Sequence, residues 1–224
     1  ATSQGTVKKT PLDEFNNPRK GGIIAVTLDE GDYLIGAATT DGKHDVMLFS
    51  DGGKAVRFDE DDVRAVGRGA RGVRGMMLED GQSVIAMLVA EDEQQSVLTA
   101  TENGYGKRTS ITEYTRHGRG TKGMIAIQQS ERNGKVVAAT LVHSDDEIML
   151  ITDRGVLVRT RVAEIRALGR ATQGVTLIGL DEGSKLSGLQ RIVENDAQSG
   201  EAEDTAADSA TDTPGDQPES GETA

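Results

Sequence analysis

The stretch Ile148–Ile178, IMLITDRGVLVRTRVAEIRALGRATQGVTLI, decides how the rest of the chain is read. An apolar run enters a turn at Asp153-Arg154-Gly155, and a second run leaves it, ending in Arg159 and Arg161. A polar connector carrying Arg166 and Arg170 leads to Gly174, after which a third apolar run begins. Short apolar runs punctuated by glycine turns are a strand pattern. No stretch repeats its apolar residues every three to four positions for long enough to make a packed helix.

The same layout occurs three times upstream. Its turn glycines are Gly5, Gly53, Gly104 and Gly155, spaced 48, 51 and 51 residues apart. A second glycine recurs at Gly22, Gly72, Gly123 and Gly174, spaced 50, 51 and 51. Two markers sharing one period near fifty are the sign of a propeller-like array with one blade per repeat. The fold class is therefore all-β, with repeats of about 1–45, 46–96, 97–147 and 148–193. Each repeat reads as four strands and three connections. In the first, these are Thr6–Thr10, a connector over Leu12–Asn17, a buried strand at Ile23–Leu28 and a further strand at Tyr33–Ala38. A short helical turn is expected near Val162–Leu168. The chain opens on ATSQGTVKKT, the middle of a hairpin, so it is expected to be a piece of a longer polypeptide whose first repeat here is incomplete.

Composition agrees with that architecture. The 224 residues include 28 Gly, no Trp, no Cys, three Phe and three Tyr. The core must then be Val, Ile, Leu, Met and Ala, and Met76, Met77, Met87, Met124 and Met149 all fall on apolar runs. Without cysteine there are neither disulfides nor thiolate metal sites. No apolar run approaches the length of a membrane span, so no membrane partner is expected.

The net charge of −12 hides a division. Residues 194–224 hold ten of the 37 acidic residues and none of the 25 basic ones, leaving 27 acidic against 25 basic in the body. The tail is rich in Ala, Asp, Glu, Ser, Thr, Gly and Pro, and such a segment buries too little apolar surface to offset its ordering entropy, so it is expected to be disordered. In the body, basic residues recur in phase. After the turn glycine come Lys8 and Lys9, Arg57, Lys107 and Arg108, then Arg159 and Arg161. In the connector come Arg19 and Lys20; Arg64, Arg68 and Arg71; Arg116, Arg119 and Lys122; then Arg166 and Arg170, with Arg74 just past Gly72. Acidic residues mostly fall in the other half of each repeat, although Asp59–Asp62 interrupts the basic half of the second. Solvated surface charge and blade-to-blade ion pairs account for any single one of these cations. The whole phased set points to a curved cationic track for a polyanion. With few aromatics to stack on bases, it would contact phosphates and respond to DNA bendability.

Other motifs carry less. Gly67–Gly72 and Gly118–Gly123 both match G-x-G-x-x-G, but a β-run follows each where a dinucleotide site needs a helix. Their backbone N–H groups suit a phosphate contact instead. His44 and His143 sit among carboxylates without paired ligand spacing, and His117 lies in a basic connector. No serine has a nucleophile-elbow setting, and no acidic run has EF-hand spacing. No catalytic constellation, metal site or cofactor site is expected.

The stretches TSQGTVKKTPLDEF, TATENGYGKRTSITEY, ITDRGVLVRTRVAEI and GRATQGV closely resemble the C-terminal domain of the bacterial DNA gyrase A subunit, over residues 1 to about 193. The resemblance implies a β-pinwheel, a propeller-like disc whose blades exchange strands. It also implies double-stranded DNA bent around a basic rim in support of ATP-dependent negative supercoiling. The implied partners are the remainder of the gyrase A subunit, together with the gyrase B subunit, in a heterotetramer of the bacterial cytoplasm at the nucleoid. ATP and magnesium belong to other parts of that enzyme, as does the cleaving tyrosine, so Tyr33, Tyr105 and Tyr114 take no catalytic role. The family's signature box, glutamine–arginine–arginine–glycine–glycine–lysine–glycine, is absent. GRGARG and GRGTKG resemble its later-blade equivalents, which implies that the first of six blades lie upstream. Two other readings remain: the matching domain of topoisomerase IV, and a β-propeller scaffold that binds an acidic protein.

Overall fold

The computed structural model describes residues 1–193, so the acidic tail lies outside the described residues. In chain order the strands are β1 (Thr6–Val7), β2 (Asp45–Ser50), β3 (Lys54–Asp59), β4 (Val73–Arg74), β5 (Val84–Ala90), β6 (Ser96–Thr101) and β7 (Tyr105–Ser110). They continue with β8 (Met124–Ile125), β9 (Val136–Val142), β10 (Glu147–Thr152), β11 (Leu157–Arg161), β12 (Val175–Thr176) and β13 (Leu186–Ile192). The helical pieces among the described residues are 3-10 turns at Leu12–Phe15, Glu60–Asp62, Ile111–Glu113 and Val162–Glu164, the last falling within the stretch expected to turn.

Sheet order shows how the repeats join. The complete sheets run β5-β2-β3-β8 and β12-β7-β6-β9, all neighbours antiparallel. Three strands of each come from one repeat and the short fourth from the next. β4 likewise crosses to pair with β1, while the last sheet, β11-β10-β13, has three strands. This exchange makes the array a β-pinwheel. The blade is therefore not the fifty-residue repeat but three strands of one repeat plus one of its successor.

Both recurring glycines sit at these joints. The carbonyl of Gly53 accepts the N–H groups of Ala126 and Ile127, at 2.9 and 3.2 Å, and Gly5 and Gly104 do the same for Gly75–Met76 and Leu177–Ile178. At the other marker, a Cβ on Gly123 would lie 2.3 Å from the Ala55 carbonyl oxygen, and its φ of +75° is one that L side chains rarely adopt. Where a joint is missing the space is open. A Cβ on Gly22 or on Gly155 would meet nothing within 4 Å.

Three apolar clusters fill the spaces between successive repeats. One gathers Val7, Leu48, Val56, Phe58, Met76 and Val84; the next Met47, Phe49, Val97, Ile111, Tyr114 and Ala126; the last Leu98, Ile148, Leu150, Val162, Ile178 and Leu186. Phe49 and Tyr114 meet edge to face, with centroids 5.9 Å apart. Each buried Val, Leu, Ile, Met or Phe among them contributes on the order of 1.5–3 kcal/mol.

The first repeat departs from expectation. Ile23–Leu28 forms no strand, and Ile24 is 70 % exposed. Its counterparts β4, β8 and β12 are strands because each pairs with the preceding repeat, and no described residue precedes the first one. Tyr33–Ala38 keeps a single bridge, Leu34 to Thr2, because the central strand it would line is represented only by Ala1 and Thr2.

Candidate nucleic-acid interface

The basic connectors are thrown outward by the way the repeats join. Each connector pairs with the second strand of the preceding repeat, leaves it, and returns two residues nearer that strand's start. Val66 N–H donates to Lys9 O, and Val73 pairs with Val7. His117 donates to Arg57 O, and Met124 pairs with Ala55. Leu168 donates to Arg108 O, and Val175 pairs with Gly106. The intervening residues cannot lie flat over so short a span, so 67–72, 118–123 and 169–174 form loops. They stand at the sheet edge away from β5, β9 and β13, where β9 packs against both of the other two.

Within each loop one arginine holds an equivalent place. Arg68 Nη1 donates to Ile24 O at 3.0 Å, Arg119 Nη1 to Arg74 O at 3.1 Å and Arg170 Nη1 to Ile125 O at 2.8 Å. The three acceptors are equivalent positions of successive preceding repeats. Each guanidinium is tied at this nitrogen, Arg119 also at Nε, and a guanidinium has five donors. Around these lie Arg64, Arg71, Arg74, Arg116, Lys122 and Arg166, all exposed. Arg71 pairs with Asp29 at 2.8 Å, and Arg116 with Asp45 at 2.7 Å. Among the described residues no carboxylate ion pair joins Arg64, Arg74, Lys122 or Arg166. Exposed Arg161 lies 3.6 Å from Glu147, which also pairs with exposed Arg159. Exposed Arg19 and Lys20 occupy the first connector, which lines no strand among the described residues.

Two residues expected to meet DNA are interior instead. Arg57 is 7 % exposed. Its Nε donates to the buried Asp45 at 2.6 Å, and its Nη1 to the carbonyls of Ile111 and Tyr114 in the next repeat. Half-buried Arg108 makes the equivalent bond to Ile165 O at 2.8 Å, and Lys9 pairs with Asp61 at 3.0 Å. This series ties repeat to repeat. Lys107 is fully buried, its Nζ donating to Gly169 O at 2.5 Å and Arg170 O at 2.6 Å. Burial pushes its ammonium down to about 8, with Glu113 opposing the shift and Arg170 adding to it. Half-buried Lys8 repeats part of the arrangement, donating to Arg68 O, the equivalent of Arg170 O, and to Ala25 O of its own repeat at 2.6 Å. Burial and then Arg68 lower its pKa, against Glu14. A signal for this was present. Three residues past the turn glycine stand Lys8, Val56, Lys107 and Val158, and two valines at one offset mark an inward position. Asp45, the buried anion shared by Arg57 and Arg116, had no such signal.

The G-x-G-x-x-G matches are followed by the two-residue strands β4 and β8, so neither opens a helix. One cluster escaped the sequence reading: Asp41, His44 and Glu60 bring one ligand atom each within 4.8 Å of one another. The Glu60 oxygens already accept from Thr40 and from the backbone N–H groups of Gly42 and His44. No helix among the described residues is long and apolar enough to cross a membrane.

The family model described as "DNA gyrase C-terminal domain, beta-propeller" matches residues 1–41, 44–91, 95–143 and 146–192. The DNA gyrase A subunit of Pseudomonas aeruginosa is 56 % identical over 194 residues, covering 87 % of this chain and 21 % of that protein. Its Escherichia coli counterpart is 53 % identical, covering 87 % of this chain and 22 % of its own length. The chain thus spans about a fifth of the curated relatives it matches. Among solved structures, a gyrase A C-terminal domain superposes with a TM-score of 0.77 at 28 % identity, covering 86 % of this chain and 64 % of that one. The C-terminal domain of a DNA topoisomerase IV superposes with a TM-score of 0.81 at 25 % identity, covering 86 % and 60 %.

Proposed function

The chain belongs to the DNA gyrase A C-terminal domain family, and on that footing we propose that its outward loops bind duplex DNA and bend it along the array. The observation that carries this reading is the loop arginine, Arg68, Arg119 and Arg170, at the same sheet edge in three successive repeats. With Arg64, Arg71, Arg74, Arg116, Lys122, Arg159, Arg161 and Arg166, these cations form a phosphate track, and Arg19 and Lys20 extend it. Lys9 and Arg108 sit at its inner margin. Evenly placed phosphate contacts favour a bent duplex and read deformability rather than base edges.

In the whole protein this track would hold DNA for ATP-dependent negative supercoiling, in the bacterial cytoplasm. The remainder of the gyrase A subunit, together with the gyrase B subunit, would complete a heterotetramer and bind ATP and magnesium. The structural likeness to topoisomerase IV supports a second reading, the corresponding domain of that enzyme. The higher identity to gyrases favours the first.

The test is duplex affinity against salt. We expect a steep log–log slope, and Arg64→Ala and Arg166→Ala should each lower it by about one at unchanged stability. No binding to linear duplex at low salt would overturn this reading and favour a scaffold for an acidic protein.

A further inference from the structure

Beneath each outward loop lies a single strand residue, the one between the two positions where the connector leaves and returns. It is Lys8 under 67–72, Val56 under 118–123 and Lys107 under 169–174. Both lysines reach loop carbonyls with their ammonium groups: Lys107 holds two, and Lys8 holds one together with Ala25 O of its own repeat. Lys107 touches Gly169 O and Arg170 O, the carbonyl of the arginine that stands on the outside of the same loop. Lys8 touches the carbonyl of Arg68, the equivalent arginine. The Val56 loop lacks this support, and Arg119 braces it from outside by donating Nε to Asp62 O at 2.8 Å.

We propose that Lys8 and Lys107 are positioning residues, each holding from beneath the loop that presents Arg68 or Arg170 to DNA. A charged donor fixes the loop backbone more firmly than neutral bonds do, Lys107 by two loop carbonyls and Lys8 by tying Arg68 O to Ala25 O of the preceding repeat. It rests on the DNA reading only for the purpose of those arginines; the clamp itself acts without DNA.

The clamp has a pH signature. The charged groups facing Lys107 are Glu113, which also accepts Arg170 N–H at 3.0 Å, and Arg170 itself. Tyr114 senses the same two, and burial pushes its phenol up, so it stays neutral here. The groups facing Lys8 are Arg68 and Glu14. Burial lowers both lysines, so the loops lose their charged donor as pH rises through the alkaline range.

Hydrogen exchange of the unaltered protein at pH 7 and 9.5, corrected for base catalysis, tests this directly. Protection of the Leu168 and Arg170 amides should fall roughly tenfold or more, and that of Val66 and Ala70 should fall in the same direction. His117 and Gly120 in the Val56 loop should not change. Equal change in all three loops, or none, overturns the proposal. Lys107→Met should loosen 168–173 already at pH 7 and flatten its pH profile while 66–71 keeps its own. Lys107→Arg should restore protection without the profile.

On DNA, Lys107→Met and Arg170→Ala should each reduce the salt slope by about one, and the double variant by no more than either. Additive losses would mean that Lys107 does not act through Arg170. Absence of DNA binding by the unaltered protein would sink the DNA reading and leave the exchange result standing.

Discussion

The loop over Lys107 and the loop over Val56 have the same length, the same bracketing pairs and the same outer arginine, yet they are stabilised from opposite sides. Under the first, a buried ammonium holds the carbonyls of Gly169 and Arg170. Over the second, Arg119 uses two of its nitrogens, on Asp62 O and Arg74 O, where Arg170 uses one, on Ile125 O. A loop clamped from within leaves its arginine freer to meet a phosphate. A loop clamped from without occupies its arginine in holding itself. The basic track is thus uneven, although its sequence period is regular.

The largest expected effect would break the frame common to both loops. Gly123 ends the Val56 loop against Ala55 O, whereas Gly118 begins it in open space. Gly123→Val should destabilise by about 3 kcal/mol or more, through overpacking and a disallowed φ. Gly118→Ala should stay within about 0.5 kcal/mol. Urea unfolding midpoints measure both, and equal losses would show that the joint does not set the loop.

Next comes the strand beneath. Arg57→Met strands the carboxylate of Asp45, leaving only Arg116 to pair it, and should cost about 2–3 kcal/mol. Arg166→Ala should leave stability unchanged. If both variants behaved as surface changes, the division between tie and track would fail.

The smallest effect sharpens the comparison by acid. Beside the Lys8 loop, burial raises the cost of ionising Glu60, but hydrogen bonds from Thr40, His44 and Gly42, with Lys9 nearby, hold its pKa below the usual value. A carboxylate lowered on folding stabilises at neutral pH, and that contribution is lost as pH falls through its folded value. The equivalent residue beside the Val56 loop is Ile111, which does not titrate. Acidification should therefore raise amide exchange in 60–72 before 111–123. Simultaneous loosening would remove Glu60 as the cause.

Much of this was legible in the sequence. The two glycine series gave the period, and the long strands β2, β3, β5, β6, β9 and β13 lie where their apolar runs begin and end within a residue or two. What stayed hidden depends on partners that are distant in sequence. Ile23–Leu28 has the apolar character of its counterparts, but a strand of that kind exists only against a neighbour's edge. Lys107 and Arg57 belong to a basic series by spacing, and only their register on β7 and β3 sends them inward. The outward loops had a sequence signature, their paired glycines and arginine, but the reason they protrude lies in two pairings to one strand.

The exchange of strands gives the array a direction. β3 is covered only when β8 arrives, some sixty-five residues later in the chain, and β7 only when β12 does. A polypeptide emerging from the ribosome therefore carries one unfinished edge, which moves forward as each new repeat closes the sheet behind it. Nascent edges of this kind invite pairing with the wrong neighbour. Each outward loop is bracketed by pairings to the repeat before it, so the loops can be completed only in order, from the N-terminal side onward.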